Sequence, residues 1–78
     1  MISAYIMIKS DLGVQNDVFT KILKINGVKK VHTIVGPWDL IAFVESEDIN
    51  TLGKTVISRI QNLKGIRDTM TCIVVEPI

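Results

Sequence analysis

The chain has 78 residues, enough for one domain. Its single cysteine, Cys72, excludes an internal disulfide, and with only one histidine, His32, a cysteine-rich metal site is excluded too. Nine Lys and Arg against eight Asp and Glu give a net charge of +1, with no basic run beyond Lys29-Lys30, so a positive nucleic-acid-binding face has no support.

A domain this short buries only about 60% of the surface its unfolded chain exposes, and disulfides, metals or self-association usually make up the deficit. The first two are excluded here, which leaves self-association. A hydrophobic fraction of 47% and a mean hydropathy of +0.38 agree. No apolar run approaches the ~20 residues that span a bilayer. The start of the chain lacks a signal peptide's basic region and cleavage site. A soluble, cytoplasmic domain is expected.

Tyr5-Ile6-Met7-Ile8 is a short continuous apolar run, which suits a strand covered on both faces. Asp11-Leu12-Gly13 breaks it. From Val14 to Ile25, Val18, Phe19, Ile22, Leu23 and Ile25 follow helical spacing, with Asn16, Asp17, Lys21 and Lys24 opposite. Gly27 is placed to end this helix as its C′ residue. A second strand is expected over Val28 to Val35, stopped by Gly36-Pro37, and a third over Leu40 to Val44. Ser46 to Asp48 offer capping oxygens for a second helix, from about Ile49 to Gln61. Its core stripe is Ile49, Leu52, Val56, Ile60 and Leu63, and Gly53 weakens it by roughly 1 kcal/mol relative to Ala. Lys64-Gly65 ends it, and Thr69 to Val75 form the last strand.

The order β-α-β-β-α-β has two similar halves: Asn26-Gly27-Val28 and Lys64-Gly65-Ile66 each lead from a helix into a strand. Two such split units make a ferredoxin-like sandwich, an α+β fold with both helices on one face of a four-stranded antiparallel sheet. The other face should then alternate to polar if it met water. Instead Tyr5 and Met7 oppose Ala4, Ile6 and Ile8; Ile41 and Phe43 oppose Leu40, Ala42 and Val44; Met70, Cys72 and Val74 oppose Ile73 and Val75. Either set leaves an apolar spare face, worth an upper bound of order 10 kcal/mol if covered. A two-fold related copy is the commonest cover, so a dimer with sheets packed face to face is expected.

No Ser-His-Asp or Cys-His arrangement and no phosphate-cradling Gly-rich loop appears, so no catalytic residue, metal or cofactor is expected. The carboxylates suit capping and solvation. His32 suits an edge strand or an interface, with binding or pH sensing as the alternative; Cys72 suits packing as a small hydrophobe. Gly36-Pro37-Trp38-Asp39 stands out, because a lone Trp in a short turn is costly to expose. Two readings fit. Either Trp38 plugs a subunit contact while Asp39 caps a turn, or the loop lines a small-ligand pocket with Asp39 or loop amides holding an amine or carboxylate. Thr69 and Thr71 share one strand face at spacing two, where their hydroxyls can donate to a carboxylate; β-propensity alone also explains them.

The turn Gly36-Pro37-Trp38-Asp39, the stretch Gly65-Ile66-Arg67-Asp68-Thr69-Met70-Thr71-Cys72-Ile73-Val74 and the Asn26-Gly27-Val28 helix exit together resemble the ligand-binding (RAM) domain of the Lrp/AsnC, or leucine-responsive, regulators. The resemblance covers nearly the whole chain, residues 1–78, as one domain. It implies sheet-joined dimers that assemble into rings, often octamers, and a small amino acid-like effector bound between dimers. Carried onto this chain, it implies a pocket lined by Val35, Gly36, Pro37, Trp38, Asp39, Thr69 and Thr71. Trp38 stands where Tyr is commoner. The chain begins directly at its first strand, so a stand-alone sensor without the DNA-binding helix-turn-helix is expected, with full-length Lrp/AsnC regulators as candidate partners and no direct contact with nucleic acid or membrane.

Two other classes share the topology. A small dimeric isomerase or cofactor-free monooxygenase would use His32 or Asp39 as acid or base, but needs a roomy cavity where this chain has large aliphatics. An RNA-binding sheet needs exposed aromatics in a basic surround, and Tyr5 and Phe43 are too few.

Overall fold

The structure is a computed structural model that describes residues 1–75; the last three residues of the expected 1–78 domain lie outside the described residues. Strand β1 (Ile2–Ser10) leads to helix α1 (Gln15–Leu23), then strands β2 (Val28–Thr33) and β3 (Leu40–Ser46). Helix α2 covers residues 49–61, and strand β4 (Ile66–Ile73) closes the sheet. The order across the sheet is β2-β3-β1-β4 with every neighbouring pair antiparallel, the expected ferredoxin-like sandwich.

The two helices cover one face. Ala4, Ile6 and Ile8 of β1, Leu40, Ala42 and Val44 of β3, and Val31 of β2 are buried against Val18 and Ile22 of α1 and Leu52, Val56 and Ile60 of α2. These are alternate strand positions and helical stripes, so period two meets period 3.6 in one packed layer. The stripes are narrower than the sequence suggests. Phe19 and Ile25 are half-buried, while Leu23 (46% exposed) and Ile49 (60% exposed) lie outside the core.

Helix α2 is not regular. Asp48 caps it, its side chain accepting from the Thr51 N–H at 2.7 Å. Ile49–Thr51 and Ser58–Gln61 are α-helical, but Leu52–Ile57 winds as a π-helix, and the Ser58 N–H reaches back to the Gly53 carbonyl. Leu52, Val56 and Ile60, four apart along this stretch, are all buried toward the sheet.

Several strand boundaries differ from expectation. β1 is longer than expected at both ends, and β3 runs two residues further, to Ser46. β2 ends at Thr33, leaving Ile34 and Val35 in the loop, and Val35 is fully exposed. β4 starts at Ile66, three residues early, and ends at Ile73. Gly27 does not follow α1 directly, because the helix ends at Leu23 with Lys24 as its cap. Its left-handed φ of +101° serves a close approach instead: a Cβ there would lie 2.7 Å from Val56 Cγ2 and 3.1 Å from the Glu45 carbonyl oxygen. Gly65, at φ +97°, is its counterpart, seated against Val14 and Val18. The Gly27 carbonyl accepts from the Glu45 N–H and the Gly65 carbonyl from the Asp11 N–H, both at 2.8 Å. Gly27 thus stitches its half of the chain to β3, and Gly65 stitches its half to the residue that follows β1.

Candidate functional site

The second face of the sheet carries no helix. Tyr5 (44% exposed), Met70 (43% exposed) and Cys72 are exposed there, and Met7, Ile41 and Phe43 are half-buried. Cross-strand register brings them together: Tyr5 opposes Phe43 and Cys72, and Met7 opposes Ile41 and Met70. The Tyr5 and Phe43 rings sit 5.0 Å apart, tilted by 50°. Lys9, Lys30, His32, Glu45 and Asp68 occupy the same strand face around this apolar centre, so the rim carries both signs of charge. β2 is an edge strand, with exposed Lys29 and Lys30 and a register shift between Val28 and Lys30, features that discourage edge-to-edge pairing. A groove of about 490 Å³ on this face has Tyr5, Ile41 and Phe43 as its floor and Lys29, Lys30, His32 and Glu45 around them.

The loop of residues 34–39 lies at the end of the sheet where β1 finishes. Val35, Gly36 and Pro37 are exposed; Trp38 and Asp39 are half-buried. The Asp39 N–H donates to the Ile8 carbonyl at 2.9 Å, and the Asp39 carbonyl accepts from the Ile34 N–H at 3.0 Å. The Asp39 carboxylate accepts from the Ser10 N–H at 2.9 Å through Oδ2. Lys9 Nζ lies 5.6 Å from the centre of the Trp38 ring, a cation–π distance. Ser10 is 6% exposed, and its hydroxyl has no hydrogen-bond partner among the described residues.

Thr69 and Thr71 are half-buried on the helix-covered side of β4, opposite Ile8 and Ile6. Thr69 Oγ1 accepts from Gln61 Nε2 at 3.2 Å, and its N–H donates to Asp68 Oδ1 at 2.9 Å. Ile8 therefore separates Asp39 on one flank from Thr69 on the other. The loop and the threonines share one region of the molecule, at the finishing end of β1, yet the grooves described for the single chain are lined by other residues. Lys9 and Ser10, which the loop touches, were not singled out in the sequence. They lie 29 residues from their partners, and no spacing rule reaches that far.

His32 sits exposed on edge strand β2, opposite Ile41, in a groove open to solvent. The space between helices and sheet, where an enzyme of this topology would hold a cavity, is filled by fully buried Ile6, Ile8, Ile22, Leu40, Leu52 and Ile60. Among the described residues no three His, Cys, Asp or Glu side chains cluster closely enough to hold a metal ion. Nor is any helix of the described residues long and apolar enough to cross a membrane.

Comparison with known proteins gives a consistent picture. The Lrp/AsnC ligand binding domain family matches residues 3–78. An uncharacterised HTH-type transcriptional regulator of Pyrococcus furiosus is 32% identical over 74 residues, covering 91% of this chain and 49% of the regulator. A homocitrate synthase of Saccharolobus islandicus is 38% identical over 76 residues, covering 96% of this chain but 16% of the synthase. The chain thus spans about half the length of the curated regulators it matches. The crystal structure of FFRP-DM1 superimposes with a TM-score of 0.91 at 28% identity, over 96% of this chain and 100% of that one.

Proposed function

This chain belongs to the Lrp/AsnC ligand binding domain family, and from that premise we propose that it is an effector-sensing and oligomerisation module that binds a small amino acid-like ligand at subunit interfaces. The observation that carries the proposal is the uncovered sheet face. Six apolar or weakly polar side chains (Tyr5, Met7, Ile41, Phe43, Met70 and Cys72) form a continuous centre on a domain too small to leave it bare. The mixed rim suits a second copy, since an isologous interface must complement itself and a rim of one sign would repel.

Sheet-to-sheet dimers would leave the loop of residues 34–39 at the end of the pair, free to meet a further dimer in a ring. A ligand held there, against Val35, Gly36, Pro37, Trp38, Asp39, Thr69 and Thr71, would be enclosed by the neighbouring dimer. Its binding would then add free energy only to the assembled state, which couples effector concentration to assembly. The regulator and synthase relatives carry this domain beside different segments, which supports a module with a portable sensing role. The FFRP-DM1 chain is no longer than this domain, which supports a stand-alone role. Acting in the cytoplasm, the module would modulate full-length Lrp/AsnC regulators by sharing their assembly surface, without catalysis of its own.

Sedimentation at micromolar concentration, with and without each of the twenty protein L-amino acids, tests the proposal. The expected result is a dimer alone and, with at least one amino acid, a larger assembly and a raised melting temperature. A monomer that no amino acid stabilises would overturn it.

A further inference from the structure

We propose that Asp39 is a positioning residue: its carboxylate fastens the 34–39 loop to the end of β1 and thereby sets where Trp38 stands, instead of meeting an effector with its charge. The regular pairing of β1 with β3 ends at Ile8 opposite Leu40. β1 runs two residues further, and its register with β4 shifts between Lys9 and Ser10. The Ser10 N–H points beyond the last rung of β3, on a residue that is 6% exposed and so poorly placed to be hydrated. The Asp39 side chain supplies the missing acceptor at 2.9 Å, an oxygen standing in for the carbonyl of a strand that has already ended.

Two successive loop residues are thus zipped to three successive strand residues. Ile8 holds the Asp39 N–H, Lys9 lies over the Trp38 ring, and Ser10 holds the Asp39 carboxylate. Only the last link depends on which side chain occupies position 39, because the main-chain bond is open to any residue except proline. Oδ2 is therefore committed within the fold. Three exposed residues, Val35, Gly36 and Pro37, leave the rest of the loop little else to fix it. The bond to Ser10 decides the position of the one large side chain that the loop presents.

Trp38 is the only tryptophan, so its emission reports on this loop alone. The test compares the parent full chain with Asp39→Ala, which has no acceptor, and Asp39→Asn, which keeps a neutral one. In Asp39→Ala the Ser10 amide should exchange with solvent about tenfold faster, and Trp38 emission should shift to the red and quench more readily with iodide. Asp39→Asn should restore both to near the parent. Unchanged Ser10 exchange and Trp38 emission in Asp39→Ala would overturn the inference. So would an Asp39→Asn chain that behaves like Asp39→Ala. These readouts need no ligand and stand even if the effector reading fails. The ligand arm rests on that reading: for any protein L-amino acid that stabilises the parent, affinity should fall in Asp39→Ala in step with the displacement of Trp38, and Asp39→Asn should recover both together. Loss of that binding with Ser10 and Trp38 undisturbed would mean that the charge itself meets the effector, and the positioning role would fall.

Discussion

The two faces of one sheet have opposite fates. On the helix side, Ile6 and Ile8 are fully buried in one cluster with the inward residues of α1 and α2. On the other side, Tyr5 and Met7, their neighbours along the same strand, are as apolar in character but stay partly exposed. Backbone and hydrogen-bond ladder are shared, so propensity cannot separate them; what separates them is the supply of cover. Two helices of nine and thirteen residues shield one face of four strands and no more. The covered face secures the fold of a single copy, and the open face is where association acts.

The largest effect should follow from emptying the covered face. Ile6→Ala removes a fully buried side chain from the central strand and should cost about 2–5 kcal/mol in denaturant unfolding, a large share of the stability of a domain this size. A loss below about 1 kcal/mol would blur the contrast between the faces. Phe43→Asp tests the open face, placing a charge beside Tyr5 in the middle of the expected interface. It should weaken self-association by about 100-fold or more in sedimentation equilibrium. Far-ultraviolet dichroism should show the strands and helices retained. An unaltered association constant would mean that the partner sits elsewhere.

Gly27→Ala probes the seam between the two halves beneath the covered face. The left-handed backbone costs an L-residue roughly 1–2 kcal/mol, and the new methyl would also press on Val56 and on the Glu45 carbonyl. It should lower the melting temperature more than Gly65→Ala, whose neighbours at 3.0 Å and 3.2 Å are side-chain methyls that can shift. The smallest effect lies away from both faces. The Thr51 N–H holds the Asp48 carboxylate below its ordinary pKa of 3.8, so the charged form is favoured in the folded state. That contribution is fully present above 3.8 and is lost as pH falls through the lower folded value. Melting curves from about pH 5 to about pH 3 should therefore decline slightly less steeply for Asp48→Asn, which keeps an uncharged acceptor.

Much of this architecture is legible in local patterns. Continuous apolar runs over Tyr5 to Ile8 and Leu40 to Val44 give the two central strands, and the spacing of Val18 with Ile22 gives the first helix. A cap among Ser46 to Asp48 is also legible from their place before an apolar stripe, and the structure selects Asp48. Legibility fails where a choice depends on residues far apart. Nothing in Leu52 to Ile57 announces a π-helix, since its apolar residues keep the spacing of an ordinary helix. Val35 reads as strand by its β-branched side chain, yet β2 ends at Thr33, where its partner strand β3 begins at Leu40.

The candidate site divides the same way. Gly36 to Asp39 announce themselves by composition, and Thr69 with Thr71 by spacing, because both are properties of neighbours in the chain. That Asp39 would spend an oxygen on Ser10, that Lys9 would cover Trp38, and that the threonines would lie on the helix side are decided by strand order and register. Local sequence determined which segments are strands and helices, and that the sheet has more apolar surface than its helices can cover, since side-chain periodicity is a short-range property. Tertiary structure alone decided which alternate set is covered and which loop meets which strand end, because packing joins residues that sequence distance leaves unrelated.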